Sequence, residues 1–147
     1  MKRWINSAII IAALVFFLWP SKHPSLPSSP TEIRLTLLEP FTDEIIVERL
    51  ITDEADIQSI VRMLAKGEVC RDHECTPIGG IIISSESHES SVQLLPGHDG
   101  GKYEFRYDEK TFAVSKSLYV STLVSLGIAR EDIRLDEYLI TEKIPEE

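Results

Sequence analysis

At 147 residues the chain has room for one modest domain, and its 24 Asp and Glu against 15 Lys and Arg leave a formal charge of −9. All the carboxylates lie from Glu32 onward, where only 12 Lys and Arg remain, so that part is near −12. The sign excludes binding to a phosphate backbone, and with it a nucleic-acid partner. It also disfavours an anionic lipid surface and, beyond plain solubility, suits a basic protein partner.

The chain opens on Lys2 and Arg3, followed by a block without ionisable side chains from Trp4 to Trp19 and then Pro20. These are the parts of an export signal. A cleaved signal also needs a small-x-small pair after its core, and Trp19-Pro-Ser-Lys-His-Pro offers none clear of prolines. An uncleaved anchor fits better. A helix over 4–19 would span about 22 Å, short of the ~30 Å hydrocarbon core by an amount that flanking residues and local thinning absorb. Trp4 and Trp19 stand at its two ends, where interfacial rings belong, and Lys2 and Arg3 favour a cytoplasmic N-terminus. Residues 1–20 therefore read as a single-pass transmembrane helix in the inner (cytoplasmic) membrane, with the rest of the chain periplasmic.

Residues 21–32 read as a linker. Four prolines and four serines between Pro20 and Pro30 suit an extended, semi-rigid spacer. Residues 33–147 then form the domain. Ile33, Leu35 and Leu37 alternate with polar neighbours as in a half-buried strand, and Ile45 to Ile51 reads as a second. Thr52 or Asp53 caps a helix that carries Ile57, Ile60, Val61 and Leu64 at helical spacing and ends at Gly67. A polar loop follows from Glu68 to Gly80. Ile81 to Ile83 reads as a central strand, and a polar hairpin connection over Ser84 to Ser90 returns through Val92 to Leu95.

Pro96-Gly-His-Asp-Gly-Gly is a dense turn signal. Tyr103, Phe105 and Tyr107 share one strand face, with Glu104 and Arg106 on the other, and the chain turns at Asp108-Glu-Lys into Phe112 and Val114. Ser115 or Ser117 caps a second helix with Leu118, Tyr119, Leu123 and Leu126 on one face before Gly127. From Ala129 the tail fits either a strand, by Ile133 and Leu135, or a helix start, by Arg130-Glu-Asp. The expected fold is α+β: an N-terminal transmembrane helix, then a mostly antiparallel β-sheet with two helices packed on one face.

Cys70 and Cys75 are the only cysteines. In an exported chain a close, even pair is expected to form a disulfide that fixes the loop before the central strand. The alternative is a metal site built from Cys70, His73 and Cys75, with His98 or His88 as a fourth ligand, a mixed set that zinc accepts. The spacing matches no usual zinc knuckle, and oxidation would remove two of the ligands. A thioredoxin-like pair has two intervening residues, not four. The glycines of 96–101 do not make a phosphate loop, because a strand follows them and not a helix. Ser84 to Ser91 lacks a nucleophile elbow, and no paired carboxylates in an apolar setting suggest acid–base work.

No catalytic set and no cofactor are therefore expected. The chain reads as a membrane-anchored, envelope-facing module that binds another protein, as an inhibitor or immunity-type protein or an accessory subunit of an envelope assembly would. The alternative is an extracytoplasmic metal-binding or metal-sensing domain built on the Cys70, His73, Cys75 loop.

Overall fold

The computed structural model describes residues 22–39, 42–72, 74–98 and 101–133. The expected transmembrane helix over 1–20 and the tail beyond 133 lie outside them. Among the described residues no helix is long and apolar enough to cross a membrane.

The elements run β1 (Glu32–Leu38), β2 (Ile45–Ile51), α1 (Glu54–Ala65), β3 (Glu68–Val69), β4 (Gly79–Ser84), β5 (Glu89–Leu95), β6 (Lys102–Tyr107), β7 (Lys110–Ser115) and α2 (Lys116–Ser125), followed by a 3-10 turn (Arg130–Asp132). The fold is α+β, with a seven-stranded sheet in the order β2-β1-β4-β5-β6-β7-β3 and antiparallel pairing throughout. One strand departs from the sequence reading. Glu68 and Val69, read as part of a polar loop, pair with Ala113 and Phe112 to make β3. Two residues are too few to show an alternation.

Register builds the core. Ile33 and Leu35 lie opposite Ile83 and Ile81, Ile81 opposite Val92, Leu94 opposite Phe105, and Phe105 opposite Phe112. All of these are buried. On this face the helices add Ile57, Ile60, Met63 and Leu64 from α1 and Tyr119, Thr122 and Leu123 from α2, in one continuous cluster. Each fully buried aliphatic side chain contributes about 2 kcal/mol relative to exposure, so this face is the main source of stability.

Local signals explain where the elements stop. Asp53 caps α1, its Oδ1 accepting from the amides of Ala55 and Asp56 at 3.0 and 3.2 Å; Ser115 caps α2 through Leu118 N. Gly127, at φ +77°, ends α2, and the Ile128 amide reaches back to Leu123 O at 3.2 Å, which is the Schellman closure. Gly67 is needed for a different reason than capping: a Cβ there would stand 2.5 Å from the Phe105 ring. The two-residue connection between β6 and β7 places Asp108 and Glu109 at φ 48° and 59°, the positive pair that a twisted hairpin requires.

The stretch expected as a free spacer is extended but docked. Lys22 O accepts from Val69 N at 3.0 Å, and Thr31 N donates to Ser84 O at 2.9 Å. His23 Nδ1 lies 2.9 Å from Gly67 O, and the Tyr107 hydroxyl donates to Ser25 O at 3.1 Å. Leu26 packs against the core. Residues 22–31 therefore strap across the end of the sheet and cover the outer edge of β3.

Candidate functional site

Residues 70–78 must carry the chain from β3, at one edge, to β4 inside the sheet, and they do so over the face that the helices leave bare. The Cys70 amide donates to Thr111 O at 3.0 Å, and the Ile78 amide to Leu94 O at 2.8 Å. Between these ends Asp72 pins the loop: its Oδ1 accepts from Thr111 Oγ1 at 2.6 Å and lies 3.3 Å from Arg106 Nη2. Arg106 and Thr111 are register partners on β6 and β7, so one carboxylate spans two strands.

His98 reaches the same face from the turn after β5. A Cβ on Gly97 would overlap the carbonyl of Lys102, so only glycine lets the chain lie flush on the start of β6. The next residue is thereby set over Glu104. His98 Nε2 is 3.4 Å from Cys75 Sγ, and its Nδ1 is 3.7 Å from Glu104 Oε2. The imidazole is half exposed (52%), whereas the Glu104 side chain is 9% exposed. Cys75 Sγ is also 3.8 Å from His98 Nδ1, so a thiol, an imidazole and a buried carboxylate cluster side by side.

Both cysteines are partly buried thiols in the structure. Burial pushes both above the ordinary thiol range, and the Glu104 carboxylate is the next cause for each. Lys102 partly offsets this at Cys70 and Arg106 at Cys75.

Of the residues expected to form a site, Cys75 and His98 are brought together, and Cys70 stands at the start of the same loop, its amide on Thr111 O. His73 falls outside the described residues. His88 is removed: it sits on the β4–β5 connection with Nδ1 3.1 Å from Ser87 O. The seven residues of β5 separate it from the His98 turn by about 20 Å at ~3.3 Å per residue. No group of three His, Cys, Asp or Glu side chains arranged to hold a metal ion occurs among the described residues. Glu104, Asp72, Arg106 and Thr111 are site residues that sequence reading missed. Alternation gave Glu104 its correct strand face, but its burial depends on a loop whose path the sequence does not encode locally.

A second surface is the outer edge of β2. This strand pairs with β1 alone among the described residues, and Ile45 and Leu50 are 59% and 60% exposed. The opposite edge, β3, is covered by the chain's own residues 22–23.

Comparison of the chain with family models, with curated proteins and with solved structures finds no match.

Proposed function

We propose that the chain is a membrane-anchored, envelope-facing module that binds another protein, and that β2 receives an extended segment of that partner as an added strand. The observation that supports this is the contrast between the two edges. An exposed strand edge is a template for pairing, and proteins commonly cover or charge it. Here β3 is covered by the docked strap, whereas β2 presents seven residues with large apolar side chains in solvent. Strand addition would supply main-chain hydrogen bonds, with Ile45 and Leu50 giving side-chain contacts.

Charge narrows the partner. Asp43 and Glu44 precede β2, and Asp53, Glu54 and Asp56 follow it. A segment that alternates apolar and basic residues suits such a strand, and the net charge of the domain would speed its encounter. Metal binding is the weaker reading, since of the expected ligands among the described residues only Cys75 and His98 are brought together.

A photo-crosslinking side chain at position 50 of the full-length, membrane-embedded protein tests the reading. The expected result is one adduct of defined mass whose cross-linked peptide is basic and apolar. The adduct should disappear when Ile45→Lys and Glu48→Lys, both at exposed positions, are added, while thermal unfolding stays within a few degrees of the parent. Absence of an adduct at position 50, or an adduct that survives both changes, would overturn it.

A further inference from the structure

The cluster formed by Cys75, His98 and Glu104 has a chemistry that a binding module does not use. A nucleophilic thiol needs a base within reach, and the base needs a third group to orient it and stabilise its charged form. Cys75 Sγ, His98 Nε2 at 3.4 Å and Glu104 Oε2 at 3.7 Å from His98 Nδ1 occupy those three places. The base is supplied by a glycine-dependent turn, the carboxylate is buried, and the imidazole is half open to solvent. A second thiol, Cys70, stands five residues before Cys75 on the same loop.

We propose that Cys75 is a nucleophilic thiol for disulfide exchange, with His98 as its base, Glu104 as the residue that positions and stabilises the imidazolium, and Cys70 as the resolving thiol. The substrate class is a disulfide. The Cys75 proton passes to His98 Nε2 as Sγ attacks one substrate sulfur; the substrate S–S bond breaks, and a mixed disulfide forms at Cys75. The first leaving sulfur takes the proton from His98. Cys70 then attacks Cys75 Sγ and gives its own proton to the second leaving sulfur. The two protein thiols end oxidised as a Cys70–Cys75 disulfide, and the substrate disulfide ends reduced to two thiols.

Burial and the carboxylate hold the thiol protonated at rest, so the exchange depends on His98 taking its proton. The same carboxylate gives the test its sign. If Glu104 only burdens the neighbouring thiol, removing its charge eases ionisation and speeds reaction. If it supports the imidazolium, removing its charge slows reaction.

The experiment uses the full-length protein in detergent micelles, reduced and freed of reductant, with 4,4′-dithiodipyridine as the probe at neutral pH. The unaltered protein should release two equivalents of thiopyridone, and Cys70→Ser one, leaving a mixed disulfide on Cys75 by peptide mass. His98→Gln and Glu104→Gln should each slow the first equivalent by about tenfold or more, with unaltered circular dichroism. His98 is exposed enough that its replacement leaves the fold intact, so a slow variant reports chemistry. Equal rates in His98→Gln, or a faster Glu104→Gln protein, would overturn the proposal. Oxidised glutathione and disulfide-bonded insulin then separate a small from a protein substrate: oxidation by either supports the proposal, and by neither overturns it. The outcome is independent of strand addition at β2, since the two sites lie on different strands.

Discussion

Glu104 lies on a strand whose alternation directs it away from the helices, yet it is buried, with the His98 ring 3.7 Å from its carboxylate. That burial has a consequence for stability against pH. Cys70 and Cys75 ionise above the ordinary value of 9.0 in the fold, and burial holds Tyr119 protonated well above its ordinary 10.0. A raised folded value favours the protonated form, so its stabilisation is complete below the unfolded pKa and is lost as pH rises through the folded one. Denaturation midpoints of the reduced protein should fall between about pH 8 and about pH 11. The fall should be shallower for the Cys70→Ser, Cys75→Ser variant; parallel curves for the two proteins would contradict the burial of both thiols.

At the scale of elements, most of the fold follows from short-range chemistry. The cap of α1 is an example: Asp53 satisfies two amides that α1 leaves without helical partners. Asp53→Ala should lower stability by about 1 kcal/mol, read from urea midpoints, with no change in Cys75 reactivity. The alternation of Ile33, Leu35 and Leu37, the triple isoleucine of β4 and the aromatic stripe of β6 gave their strands and core faces directly, because side-chain period and burial coincide there. Three things were not legible. β3 is too short to carry a period. The strap over 22–31 reads as a spacer by composition, yet its backbone groups find partners at Val69, Tyr107 and Ser84. The approach of His98 to Cys75 depends on sheet order and on a steric allowance at Gly97. Cysteine spacing suggested a bond or a metal, and nothing near either cysteine in sequence pointed to Glu104.

At the scale of the whole molecule, the strap gives the domain a direction. Residue 22 leaves the fold beside β3, and β2 is the outermost strand on the other side, six strand spacings away, or about 29 Å at ~4.8 Å each. A chain anchored through its N-terminal segment would therefore present β2 away from its point of attachment, and the thiol site on the face between the two edges. Tether, covered edge and open edge would then form one arrangement, in which the domain would be held at one side and would bind at the other. It rests on retention of the apolar N-terminal segment.

The intact mass of the protein from fractionated cells tests that most directly. A tethered module predicts the full 147-residue chain of 16.6 kDa, released from the membrane fraction by detergent and not by salt or alkali, with its domain open to protease from the outer side. A soluble species lacking roughly the first 20 residues, the size of a cleaved signal, would contradict it.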